Sequence, residues 1–307
     1  MTKKRLVLIH GADAIPDEAH HRRIWRRALA AGIERDRPDA SAALKEANVE
    51  FVFFGDLINP LAPTPLDPEL DLADRELGLA ALTALKKSKN FRRRFYEELP
   101  GASGLSEFVA RALSPLTNTI GVGKKLIARR QPELAAYLDE AHPIRTHLDA
   151  RCTQALTSAL AAEDSVCVLG HCLGSVVAYN SLWQLSQGSA ALPAAGRKVD
   201  LFLTLGSALA DNSIRNQLQG FKTNGSKQFP TNLVRWHNVA AKDDPVCHDE
   251  TVGNDFQQML KNRQIAEITD HQIYNHAVRY GRSDPHDASG YLIHPKVAGL
   301  LADWLLR

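Results

Sequence analysis

Long hydrophobic runs are missing from this chain of 307 residues. After the basic start Met1-Thr-Lys-Lys-Arg5, the first apolar stretch ends at His10. It is too short for a secretory signal core and far from the ~20 residues that a bilayer span requires. The sequence therefore predicts neither a signal peptide nor a spanning helix. Cysteine is scarce too: four residues, none at the spacing of a zinc site or a disulfide framework. That points to reduced thiols and a cytoplasmic setting, and away from a small stapled fold. No repeat, low-complexity tract or metal motif is present. His248-Asp249-Glu250 is too local to hold an ion by itself, so no metal or cofactor is expected.

Charge of one sign is also lacking overall, because the formal net charge is only +2. The positive charge is local. Arg22, Arg23, Arg26 and Arg27 form one cluster, Lys86, Lys87, Lys89 and Arg92 to Arg94 a second, and Lys124, Lys125, Arg129 and Arg130 a third. Such clusters suit an anionic membrane surface or phosphate headgroups, or equally a solvated helix face paired with acids. No stacking aromatics are interleaved in the way of a nucleic-acid platform, so nucleic acid ranks last among partners.

What is there centres on Ser165-Val-Cys-Val-Leu-Gly-His-Cys-Leu-Gly-Ser-Val-Val-Ala-Tyr-Asn180. A β-branched apolar run leads into Gly-x-Cys-x-Gly, and then Val176, Val177, Tyr179, Leu182 and Trp183 recur at helical spacing. The pattern predicts a strand, a sharp elbow and a helix, with Cys172 at the bend. Gly170 and Gly174 fit where any side chain would collide with the reversing backbone. The Leu173 amide would face the oxygen of a bound carbonyl, and the positive end of the following helix would favour a thiolate. A buried structural cysteine in an ordinary Gly-rich turn is the competing reading.

Gly170-His-Cys-Leu-Gly-Ser-Val-Val-Ala-Tyr179 resembles the nucleophile elbow of the α/β-hydrolase family, in its lipase and esterase branch. That branch ordinarily carries Ser at the position of Cys172. Thiol nucleophiles occur elsewhere in the superfamily, in dienelactone hydrolases, polyester synthases and some thioesterases, so a native thiol and a replaced serine both remain open. The resemblance implies an α/β fold with a mostly parallel sheet, an oxyanion loop after the first strand, then an acid and last a His. Lys4 to Ile9 reads as that first strand, and His10-Gly11 resembles the family's His-Gly loop, which makes the Ala12 amide the second oxyanion donor. Asp13 is expected to cap the helix that follows, with direct substrate contact as the competing role.

Leu233 to Ala241 reads as a later strand running into Lys242-Asp-Asp-Pro-Val246, similar to the family's acid loop. Asp244 is the leading acid and Asp243 the rival, an Asp-Pro turn being a common backbone cap. His286 lies on a loop before the closing helix Lys296 to Leu306, as the family's His does. His294 directly precedes Pro295 and suits the helix entrance. His20, His21 and His271 are read as surface or polar packing. Asp200 to Leu209 resembles the strand and Gly-Ser turn found after the elbow helix, with Ser207 as a turn hydroxyl.

Residues 1–56 and 144–307 are thus expected to form the hydrolase-like core. Residues 57–143 are too long for a structureless loop and should be a helical insertion. Helical patterns run at about Leu70–Lys87, Phe91–Glu98, Ser106–Ala112 and Lys124–Arg130. Leu105, Phe108, Val109, Leu113, Leu116, Ile120 and Val122 would suit the acyl pocket of a cap, or plain packing onto the core. The expected function is hydrolysis of a carboxylic ester or thioester through an acyl-enzyme on Cys172, with His286 as base and Asp244 orienting it. An acyltransferase using the same intermediate, and a non-catalytic protein of this fold that binds an acyl ligand or a partner, are the alternatives. Nothing in the residues fixes the oligomeric state.

Overall fold

The computed structural model describes residues 3–12, 17–62, 67–86, 91–102, 132–162, 165–187, 196–247 and 251–307. Six strands, β1 (Lys4–Ile9), β2 (Asn48–Val52), β3 (Ser165–His171), β4 (Leu201–Leu205), β5 (Arg235–Ala241) and β6 (Glu267–Ile273), form one sheet in the order β2-β1-β3-β4-β5-β6. Every neighbouring pair is parallel. Parallel strands need crossovers, and these place helices on both faces, so a central strand can be apolar throughout. β3 meets that condition: Val166 to His171 are all buried.

The side-chain alternation of β3 feeds two core layers. Val166 and Val168 pack with Phe202 and Trp236 beneath the helices Pro143–Ala161 and Leu173–Gln187. Cys167 and Leu169 pack with Leu6, Leu8 and Leu203 on the other face, beneath the helices Glu18–Asp36 and Pro295–Leu305. The longer helices are called α1 (Glu18–Asp36), α2 (Pro68–Thr83), α3 (Pro143–Ala161), α4 (Leu173–Gln187) and α5 (Pro295–Leu305). At ~1.5–3 kcal/mol for each fully buried Leu, Val or Ile, the two layers supply the dominant favourable term. Among the described residues, no helix is long and apolar enough to cross a membrane.

Several boundaries differ from the sequence reading. The cap of α1 is Asp17, whose carboxylate accepts the His20 N–H at 2.8 Å. Asp13, the cap expected from the sequence, lies outside the described residues. β6 is not announced by the sequence, because Glu267 to Ile273 is polar except for Ile268 and Ile273 and has no apolar run. It is the last strand of the sheet order and half-exposed along most of its length, and it is held partly by side chains: Asn238 Nδ2 donates to Asp270 Oδ1 at 3.0 Å.

In the insertion, the patterns at Leu70–Lys87 and Phe91–Glu98 form α2 and the short helix Arg93–Glu97. The patterns at Ser106–Ala112 and Lys124–Arg130, and the apolar positions from Leu105 to Val122, lie outside the described residues. So does His248-Asp249-Glu250. Helix α2 packs against α1 and the hairpin formed by Val278–Arg279 and Arg282–Ser283. Its buried Asp71 binds Arg75 Nε at 2.6 Å, the Tyr280 hydroxyl at 3.0 Å and Arg279.

From β1 the chain moves outward to β2 and then returns to the opposite side of β1 to lay down β3. The connections beyond the carboxyl ends of β1 and β3 thus diverge, and a crevice at such a switch point is where parallel α/β sheets place ligands. Gly11-Ala12 and Cys172 stand at those two ends.

Candidate active site

The turn between β3 and α4 is built by close approach. A Cβ on Gly174 would stand 2.3 Å from the carbonyl oxygens of both Ile9 and His10, and one on Gly170 would stand 2.8 Å from the Ser175 backbone. No side chain fits either position. Ser175 is buried and donates its hydroxyl to Gly170 O at 2.8 Å, which ties the turn across its base. Cys172 between them adopts φ +50°, a left-handed conformation costing a non-glycine residue on the order of 1–3 kcal/mol. Its N–H donates to Leu205 O at 3.0 Å, anchoring the strained residue to the end of β4.

A hydrogen-bonded chain then runs from the sulfur across the strand ends. His286 Nδ1 donates to Asp244 Oδ2 at 2.8 Å. With that nitrogen committed, the hydrogen bond between His286 and Cys172 falls to Nε2. Burial alone would depress the imidazole, but the Asp244 and Cys172 charges and their hydrogen bonds hold His286 well above its ordinary value. Asp244 shows the converse balance. Burial pushes it up, and this is outweighed by the His286 charge and by hydrogen bonds from His286, Tyr291 and the Val246 N–H, so it stays below the usual carboxylate value.

Asp243, the rival acid, has no part in this chain. It is 4 % exposed, Oδ1 has no partner among the described residues, and burial together with the neighbouring Asp244 charge pushes it up to about 7. His294 is the N-cap of α5: its Nδ1 accepts the Lys296 N–H at 3.1 Å, and burial lowers it to about 3. Ser207 accepts the Leu209 N–H at 3.2 Å as a turn hydroxyl.

Leu173 is the first residue of α4, so its N–H is a first-turn donor without an intrahelical acceptor. Ala12 follows Gly11, whose added Cβ would stand 3.0 Å from Cys172 Cβ, which puts the two loops in contact. His10 fixes the Gly11 side: Nε2 accepts the Phe54 N–H at 2.9 Å and Nδ1 donates to Gly11 O at 2.8 Å, a tautomer assigned by these partners. Cys172 at the bend is 1 % exposed, packed with the layer that includes Ile9, Val168 and Leu173.

Three contributors escaped the sequence reading. His171 Nε2 donates to the backbone carbonyl of His286 at 3.0 Å, so the residue before Cys172 pins the loop that carries His286. Tyr291 donates to Asp244 Oδ2 at 2.7 Å while accepting the Ala241 N–H at 2.9 Å. Cys247 Sγ lies 3.4 Å from the same carboxylate oxygen. The elbow motif constrains its glycines and its central residue but leaves the residue before Cys172 open; Cys247 carries no motif, and Tyr291, in the stretch after His286 that resembles the family's, has no role legible in the sequence.

Among the described residues no group of three or more His, Cys, Asp or Glu is placed to hold a metal. Comparisons with protein families, curated proteins and solved structures gave no match. The functional reading therefore rests on this geometry.

Proposed function

We propose that the chain is an α/β-hydrolase that cleaves a carboxylic ester or thioester through an acyl-enzyme on Cys172. The observation that carries this is the hydrogen-bonded order Cys172, His286, Asp244, with the cysteine in a left-handed turn at the switch point of a parallel sheet. His286, held basic by Asp244, takes the thiol proton as Sγ attacks the carbonyl carbon. The carbonyl oxygen takes up negative charge against the Leu173 and Ala12 amides, donors of a kind whose loss costs about 3–4 kcal/mol. Collapse expels the alcohol or thiol, which receives the proton from His286. Water, deprotonated by His286, then attacks the Cys172 thioester; the C–S bond breaks, Sγ recovers the proton from His286, and the carboxylic acid is released. Asp244 keeps its proton off throughout and stabilises the imidazolium.

The free thiols Cys152, Cys167, Cys172 and Cys247 support a reducing, cytoplasmic setting. The burial of Cys172 favours a second reading, a non-catalytic protein of this fold that holds an acyl ligand, because a substrate must displace neighbouring groups to reach the sulfur. A panel of esters and thioesters, run on the wild type and on Cys172→Ala with circular dichroism as the fold control, separates the two. Hydrolysis lost in the folded Ala variant supports the enzyme. Absence of turnover on every member, with ligand binding retained, supports the second reading.

A further inference from the structure

Helix α2 exposes the wrong face for a helix that only packs. Its buried residues, Asp71, Arg75, Leu79 and Leu82, turn toward α1 and the Val278–Ser283 hairpin. Its solvent side presents Leu70, Ala73, Leu77, Ala80 and Ala84, an apolar stripe at helical spacing. Leu70 is 60 % and Leu77 70 % exposed, the two most exposed large apolar side chains among the described residues. Single exposed leucines are ordinary, whereas a stripe of apolar residues marks an interaction surface.

The stripe has distinct flanks. On one side stands Tyr280, 53 % exposed, with its hydroxyl on Asp71 and its N–H on Asp74 Oδ1 at 2.8 Å. On the other side is the outer face of α1, with Arg22, Arg23, Arg26 and Arg27 all exposed. Glu76 of α2 joins the helices, bonding Arg27 at 2.5 Å and lying 3.7 Å from Arg23. Arg22 and Arg26 have no acidic partner among the described residues. Both helices bury side chains in the same core layer, so their solvent faces turn outward on the same side of the sheet.

Exposed leucines, an interfacial tyrosine and unneutralised arginines on one face match the apolar and ionic demands of a lipid headgroup boundary. We propose that this face docks the protein on an anionic bilayer surface. The apolar stripe enters the headgroup region while Arg22 and Arg26 meet lipid phosphates. A second copy of the chain suits it less well, because the arginines of one copy would face those of the other across a two-fold contact. The proposal does not depend on the acyl-transfer reading, since none of these residues touches Cys172, His286 or Asp244.

The test is sedimentation of the whole chain with phosphatidylcholine vesicles, with and without phosphatidylserine. Binding is expected only to the anionic vesicles and is expected to weaken with salt. Arg22→Gln with Arg26→Gln lowers the affinity by about twenty-five-fold, at roughly fivefold per arginine. Leu70→Ser with Leu77→Ser lowers it by about tenfold or more at any salt. Arg94→Gln, on a separate exposed helix, leaves binding unchanged, and Cys172→Ala binds as the wild type does. Circular dichroism confirms that each variant is folded. If the leucine pair perturbs folding, the arginine pair and the salt dependence of the wild type decide. Absence of vesicle binding, equal binding to both vesicle types, or wild-type binding by the arginine pair overturns the proposal. So does a self-associated wild type that the leucine pair turns monomeric without altering its vesicle binding.

Discussion

The Tyr291 hydroxyl and His286 Nδ1 share one acceptor: Tyr291 stands 2.7 Å and His286 2.8 Å from Asp244 Oδ2. Because the same hydroxyl accepts the Ala241 N–H, it locks the acid to the end of β5. The orientation of the His286 ring thus depends on the Tyr291 phenol.

Tyr291→Phe leaves the Ala241 amide without its acceptor and Asp244 with one donor fewer. A stability loss of about 1–3 kcal/mol is expected. Asp244 is ionised below its usual value in the folded state, so its contribution is present above the unfolded carboxylate range and is lost as pH falls through the folded value. The variant weakens that depression. Thermal melts should show the difference from wild type shrinking as pH falls below the unfolded carboxylate range and through the lower folded value of Asp244.

Asp243 carries the opposite sign. Its carboxyl is held at about 7 in the fold, so the folded state keeps a proton that the unfolded chain gives up near pH ~4, and stability falls as pH rises between the two. Asp243→Asn should be nearly neutral at about pH 4 and stabilising at about pH 8. Melting curves at the two values check this, and a variant that destabilises equally at both would show that Asp243 is ionised in the fold. Activity should fall only modestly.

Asp244→Asn, by contrast, should lower kcat on the order of ten-thousandfold, and His286→Ala should be comparably severe. His294→Ala removes a helix cap and costs about 0.5–2 kcal/mol of stability with most turnover retained. Steady-state kinetics on all three variants checks the order. A severe loss in His294→Ala beside an active His286→Ala would move the base.

His171→Ala removes the bond that holds the His286 backbone, together with the ring contact to His286 at 4.8 Å between centroids. A fall in kcat of about ten- to a hundredfold at nearly constant KM is expected from misplaced geometry. A purely structural role would lower the melting temperature and leave kcat of the folded fraction unchanged.

The sequence announced strands and motifs better than side-chain supports. β1 matched its expected span, and β3 and α4 followed from the β-branched run and the helical spacing around Gly170 and Gly174, because those glycines meet backbone at distances no Cβ tolerates. Asp244 was distinguishable from Asp243 by its Pro-Val context. His171, Tyr291 and Cys247 were not legible, since their roles arise from loops that meet only when β3, β5 and the segment before α5 are brought together. The edge position of β6 hid it for a related reason: half-exposed strands need no apolar run. The burial of Cys172 could not be read from an elbow motif that fixes backbone shape and says nothing of what packs on it.

The most direct measurement is the intact mass of the protein after rapid mixing with a short activated ester or thioester, followed by peptide mapping. One added acyl group is expected, located on Cys172, absent from Cys172→Ala, and persisting longer in Asp244→Asn, where the proposed base that activates water is misoriented. No adduct at Cys172 during demonstrable turnover, or an adduct on another residue with activity retained by Cys172→Ala, would contradict the proposal.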